Sequence, residues 1–175
     1  GNYIKIINRK FKTQKIVHAI ISDIRSRLRV DRVTIIEFSN GETTLHGVPY
    51  LFGDMTYEDH NPLLISVKER FKHFPVSWFA PLNEPLIDSK VKSILWTEHG
   101  YFRNNSKEMI IDESASTILN SANTMESLVI KFTSNIGDGV VTLYNHSRKL
   151  NISDEDYKEL ISDALNIWYQ LKIKK

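Results

Sequence analysis

Asp54, Glu58, Asp59 and His60 place three carboxylates and an imidazole in one short run, a donor set that hard divalent cations accept. Adjacent residues point in different directions unless a loop gathers them, and no spaced pair such as H-E-x-x-H is present. A solvated loop is therefore the expectation, and no metal ligand is assigned. Six histidines, His18, His46, His60, His73, His99 and His146, lack the Ser or Asp spacing of a triad, and no G-x-S-x-G, P-loop or G-x-G-x-x-G occurs. The chain has no cysteine, which removes disulfides, thiolate nucleophiles and thiolate-bound metals together. No catalytic residue, no cofactor and no metal site is expected.

Arg25, Arg27, Arg29 and Arg32 cluster at the end of a helical stretch, where cations complement the macrodipole without needing a partner. Nucleic acid would call for aromatics interleaved on the same face, and RSRLRVDR has none. A net charge of +2 is too mild to argue for it separately. Nucleic acid is therefore not an expected partner. The sequons at Asn104, Asn145 and Asn151 need a secretory context that nothing in the sequence supplies.

The elements that must position these residues come next. The 175 residues, 41% hydrophobic and 25% charged, suit one folded domain. Residues 1–11 read as an N-terminal extension or cloning remnant, and 12–175 as the domain. No run approaches a membrane span, so a cytoplasmic location is expected, with membrane association only through a segment outside this chain.

Val17, Ile20, Ile21, Ile24 and Leu28 form an apolar stripe, predicting a helix over 12–29. Arg32 to Phe38 predicts a strand, Asn40-Gly41 a hairpin turn, and Thr43 to Val48 the returning strand. Tyr50 to His60 shows no clean period and is expected to be irregular. Pro62 with Leu63, Leu64, Val67, Phe71 and Phe74 predicts a second helix. Asp88 to Trp96 is either a strand or a short helix, with Val91, Ile94 and Leu95 favouring helix. Gly100 to Asn105 reads as a loop, followed by a short helix around Ile110 to Asn120. Leu128 to Thr133 and Val140 to Tyr144 are β-rich and flank Gly137-Asp138-Gly139, a hairpin. Ser153 with Asp154, Glu155 and Asp156 caps a final helix whose stripe is Tyr157, Leu160, Ile161, Ala164, Trp168 and Leu171.

The first helix running into DRVTIIEF, the S-LVIKF and GVVTLYN strands, and ISDEDYKELISDALNIWYQL as closing helix resemble a GAF domain, a sensor module related to PAS domains. The run DRVTIIEFSNGETTLHG with MTYE is also similar to GAF-like domains of small membrane-anchored proteins encoded by tailed bacteriophages. The resemblance implies an α+β fold: a central antiparallel sheet of about six strands, backed by the N- and C-terminal helices. It also implies a pocket between sheet and middle segment in members that bind ligands. Cysteine-linked bilin attachment and cysteine-based sulfoxide reduction cannot occur here by those routes. Asn105, Lys107, Asp112 and Glu113 have the wrong spacing for the cyclic-nucleotide signature.

Trp78, Phe79, Trp96, Tyr101 and Phe102 lie in the stretch where the resemblance puts the pocket, and they either stack on a planar ligand or fill a core. Asn83, Glu84, Arg103 and Asp112 are the polar groups expected to orient a ligand there. Ile167, Tyr169 and Ile173 lie off the final helix's stripe and suggest a surface for pairing of two copies, as GAF domains commonly pair through these helices. The expected function is a non-enzymatic sensory or regulatory module with a small-molecule ligand. The alternative is a ligand-free interaction protein, the soluble part of a phage-encoded membrane-associated factor.

Overall fold

The computed structural model describes residues 1–43 and 49–173, with side chains described for 1–39 and 51–172. Helix α1 (Asn2–Leu28) leads into strands β1 (Arg32–Thr43) and β2 (Pro49–His60). Strand β3 (Phe74–Pro75), the short helix α2 (Ala80–Asn83) and three 3-10 turns, at Lys68–Phe71, Val76–Phe79 and Glu84–Ile87, make up the middle segment. Strands β4 (Ser93–Thr97), β5 (Gly100–Arg103) and β6 (Met109–Ile111) follow, then α3 (Glu113–Ser121), β7 (Glu126–Lys131), β8 (Gly139–Asn145) and α4 (Asp154–Ile173).

All eight strands join one antiparallel sheet in the order β3-β2-β1-β8-β7-β4-β5-β6. The period-two alternation of each strand splits its side chains between two cores. Val33, Ile35, Leu128, Ile130, Val141 and Leu143 face α1 and α4. Ile94, Trp96, Val129 and Val140 face α3 and the middle segment. Ile20 and Trp168 pack against the same cluster, so the two terminal helices back a common sheet as the sequence predicts. Each large aliphatic side chain removed from water there contributes about 1.5–3 kcal/mol.

Helix α4 begins as its sequence dictates. Ser153 Oγ accepts from the Asp156 N–H at 3.1 Å, and the Asp156 carboxylate accepts from the Ser153 N–H at 3.3 Å, a reciprocal cap.

Several expectations are corrected. Helix α1 starts at Asn2, so residues 2–11 continue the first helix with their side chains mostly exposed. The sheet has eight strands where about six are expected. Asn40 and Gly41 extend β1, with Asn40 opposite Leu51, while the expected returning strand falls largely on residues outside those described. Tyr50 to His60 lies within a twelve-residue strand whose register shifts between Ile35 and Ile36 on the facing β1, hiding the alternation from a sequence reading.

The helix predicted from Pro62 does not form; only Lys68–Phe71 is helical, as a 3-10 turn. Its backbone groups are claimed elsewhere: Arg32 Nη2 donates to the Ile65 carbonyl at 3.1 Å, and the Glu58 carboxylate accepts from the Val67 N–H at 3.0 Å. Leu63 and Ile65 are 91% and 83% exposed as a result. Of Asp88 to Trp96, the first residues form a turn and Ser93 onward forms β4, buried on both faces, where an apolar run carries no period to separate strand from helix. Gly100 to Arg103 is β5 rather than loop, packed so closely on β6 that a Cβ at Gly100 would lie 2.0 Å from the Ile110 carbonyl oxygen.

Candidate functional site

Between the sheet and the middle segment lies a cavity of about 350 Å³. Its floor is built by alternation. Val140, Thr142, Tyr144 and His146, every second residue along β8 and just past it, line the cavity, while Val141 and Leu143 point into the helical core. Strand β1 runs antiparallel beside them, with Ile36 opposite Val140 and Arg32 opposite Tyr144. The floor is therefore graded. Phe38, Ile36 and Val140 make one end apolar, and Thr142, Tyr144, Arg32, Ser127 and His146 make the other polar, over about 20 Å of strand at ~3.3 Å per residue.

The roof at the apolar end is aromatic. Phe71, Phe74 and Phe79 pack on one another with centroids 5.6 to 5.8 Å apart, and Leu82 and Leu119 close the wall beside them. Gly53 admits Phe74, since a Cβ there would sit 2.7 Å from its ring. The lining residues that reach solvent, Arg70, Ser121, Ala122 and Asn123, mark the mouth between the 3-10 turn at Lys68–Phe71 and the C-terminal end of α3.

No aspartate or glutamate is among the lining residues, whereas Arg32, Arg70 and His146 are. Arg32 is committed to a buried ion pair with Glu58, whose carboxylate also accepts from Ser66 Oγ and the Val67 N–H. Burial works against the Glu58 charge, but these hydrogen bonds and the Arg32 guanidinium together hold its carboxyl below the ordinary carboxylate value. Burial pushes the Tyr144 phenol up, which keeps it protonated and able to donate. His146 Nδ1 lies 2.6 Å from the Asn123 carbonyl oxygen.

The candidate ligand residues are placed as follows. Phe79 and Asn83 stand in the cavity wall. Trp78 is 61% exposed, stacked on the outer side of Phe74. Trp96 is corrected from ligand contact to core: its side chain is fully buried, donates to the Leu82 carbonyl at 3.1 Å and packs on Tyr101. Phe102 sits opposite Leu95, on the helix-backed face, and Arg103 is exposed at the end of β5. Asp112 caps α3, accepting from the Ser114 N–H and Oγ, and Glu84 opens a 3-10 turn; neither lines the cavity.

Ile167 is also corrected. Leu160, Ala164, Ile167 and Leu171 follow the four-three-four spacing of one face and are all buried, so Ile167 belongs to the stripe. Tyr169 is 57% exposed, and the Ile173 side chain lies outside those described. The acidic cluster is dispersed by its strand: Asp54 accepts from the His73 N–H, Glu58 pairs with Arg32, and Asp59 pairs with Arg25 at 2.6 Å. Among the described residues no group of three metal-ligating side chains converges. Arg27 likewise pairs with Asp163 of α4 at 2.9 Å. Sequence reasoning missed Thr142, Tyr144 and His146, although the alternation in VVTLYNH carries the signal.

One antiparallel sheet with helices behind it and a cavity under its middle segment defines the fold class. No family model and no curated protein matches the sequence. The phycoerythrobilin-bound GAF domain of a cyanobacterial phytochrome superposes with a TM-score of 0.66 at 15% identity, over 97% of this chain and 92% of that one. A far-red-absorbing dark state with bound biliverdin IXa gives 0.68 at 11% identity, over 97% of both chains. The blue-light-absorbing form of the Thermosynechococcus elongatus PixJ GAF domain gives 0.60 at 11% identity, over 95% and 90%. The fold is that of a GAF domain. Nothing in these likenesses supports the resemblance to phage-encoded proteins, and no described helix is long and apolar enough to cross a membrane.

Proposed function

We propose that the chain is a non-enzymatic sensory module that binds a small molecule, without covalent attachment, in the cavity between the sheet and the middle segment. The observation that carries this is the cavity itself, lined by apolar and aromatic side chains with a few converging polar groups, as ligand sites are. The solved GAF domains recorded with bilins lend support for a ligand in this fold. At about 350 Å³ the cavity sits at the small end of the ~300–1,000 Å³ that ligand sites occupy, and no cysteine is present to tether a chromophore.

Thermal-shift screening with bilins, nucleotides, cyclic nucleotides and amino acids tests this. A ligand at ~100 times its Kd adds about 2.7 kcal/mol, which for a chain of this size raises Tm by roughly 5–10 °C. Val140→Phe, which fills the apolar end, should abolish the rise. An empty screen, or a rise that survives the substitution, removes the proposal.

A second reading is that two copies pair through the terminal helices. Tyr3, Ile4 and Phe11 on α1, with Leu165 and Tyr169 on α4, are large exposed apolar groups that favour it. Light scattering should then report a dimer that Phe11→Glu converts to monomer. A monomer at high concentration would dismiss it.

A further inference from the structure

Five side-chain polar atoms are buried without a hydrogen-bond partner among the described residues: Arg27 Nε, Thr34 Oγ1, Thr56 Oγ1, Tyr57 Oη and His146 Nε2. Of these residues only His146 lines the cavity. Such atoms are rare in folded proteins, and each one calls for a cause.

The protonation of this imidazole follows from its other nitrogen. A carbonyl oxygen accepts and cannot donate, so the 2.6 Å contact from Nδ1 to the Asn123 carbonyl requires the hydrogen to be on Nδ1. In the neutral ring Nε2 is then a bare lone pair. His146 lines the polar end of the cavity, where Tyr144 and Thr142 precede it along the same face of β8. The hydroxyls of Ser127, Thr142 and Tyr144 can each rotate to give or to accept, and the Arg32 guanidinium is held by Glu58 and the Ile65 carbonyl. In the neutral ring His146 Nε2 can only accept, and no donor reaches it among the described residues.

Resting on the reading of the cavity as a binding site, we infer that its ligand is a small molecule with an apolar, ring-sized body and an N–H or O–H donor at one end, the donor satisfying His146 Nε2. The body lies against Phe38, Phe71, Phe74, Phe79 and Val140, and the donor points along β8 to His146. Water can meet the same demand, so a ligand that displaces water without bringing a donor leaves the lone pair unpaired and loses affinity. A bare hydrocarbon or a ligand with only acceptor groups at that end is selected against for this reason.

Two probes of nearly equal shape separate the possibilities: indole, which carries an N–H, and benzothiophene, which carries none. Titrated by NMR into the full chain, indole should bind about tenfold more tightly, the worth of one neutral buried hydrogen bond. The long-range nitrogen spectrum of the wild-type imidazole should show the Nδ1–H tautomer before addition, and the Nε2 resonance should remain that of a hydrogen-bonded nitrogen with indole bound but move toward that of a bare lone pair with benzothiophene bound. His146→Phe should remove the discrimination, bringing the affinities of the two probes to within about twofold of each other; the wild-type spectrum serves where this variant fails to fold. Equal affinity of the two probes, or a resting Nε2–H tautomer, overturns the inference and leaves the cavity reading standing. Binding of neither probe also overturns it, and takes the cavity reading with it only where the wider screen is empty as well.

Discussion

Arg32→Met should lower the stability of the domain by about 3–5 kcal/mol, the cost of removing one partner from a buried ion pair. Both side chains of the pair are almost wholly enclosed, at 6% and 4% of their surface exposed. Without the guanidinium, Glu58 keeps only Ser66 Oγ and the Val67 N–H against the burial that opposes its charge. The Ile65 carbonyl loses its donor too, so the loop from Asn61 to Phe71, which contributes Val67, Arg70 and Phe71 to the cavity lining, should exchange its amides faster.

The pH dependence carries the sign. In the wild type the folded-state pKa of Glu58 is lowered, so its contribution to stability is present above the ordinary carboxylate range and is lost as pH falls through the folded value. In Arg32→Met burial dominates and raises the folded pKa above the unfolded one, so stability should instead fall as pH rises through that range. Denaturant unfolding of both proteins from pH 7 down to about pH 3 measures this, and Arg32→Met with Glu58→Gln should recover roughly half of the loss. A loss under ~1 kcal/mol with an unchanged pH slope would place the pair with ordinary surface ion pairs and contradict the prediction.

Lys131→Met is the second large effect. This lysine ends β7 with 2% of its surface exposed, and its ammonium donates to three backbone carbonyls: Leu86 at 2.7 Å, Asp88 at 3.0 Å and Ser134 at 3.1 Å. All three protons are used, and burial lowers the pKa of the group. It ties the turn before β4 and the loop after β7 to the middle of the sheet. Methionine fills the volume but donates nothing, so carbonyls that a buried charge now satisfies lose their partner at about 1–3 kcal/mol apiece. We expect a loss of about 3 kcal/mol or more. Lys92→Met, at the exposed residue just before β4, should change stability by less than ~0.5 kcal/mol. Equal small effects at the two lysines would show that the carbonyls find other donors and that Lys131 is not the tie.

The parts of the fold that were legible in the sequence are those whose signals are local. The stripe from Val17 to Leu28, the reciprocal cap at Ser153 and Asp156, and the β-branched runs on either side of Gly137 to Gly139 each specify an element through neighbours a few residues away. The middle segment was misread because its signals are set at a distance. Pro62 and the apolar positions after it satisfy a helical pattern, but the Val67 N–H and Ile65 carbonyl go to Glu58 and Arg32 on the sheet. Trp96 illustrates the same limit in the site. Its type fits stacking on a ligand, yet its indole N–H is taken by Leu82 and its surface by the core.

By itself the sequence determined the antiparallel sheet, the two helices that back it and the absence of thiol chemistry, because periodicity, capping and composition act within one element or on the chain as a whole. Only the tertiary structure decided which residues share the cavity. Arg32, Ser127, Tyr144 and His146 come from three strands and the segment just past one of them, and what unites them is which face of the sheet each occupies once the strands are in register. That register is fixed by burial of Val33, Ile35, Val141 and Leu143 against the helices, and a slip of one residue would turn the whole polar end of the cavity into the core.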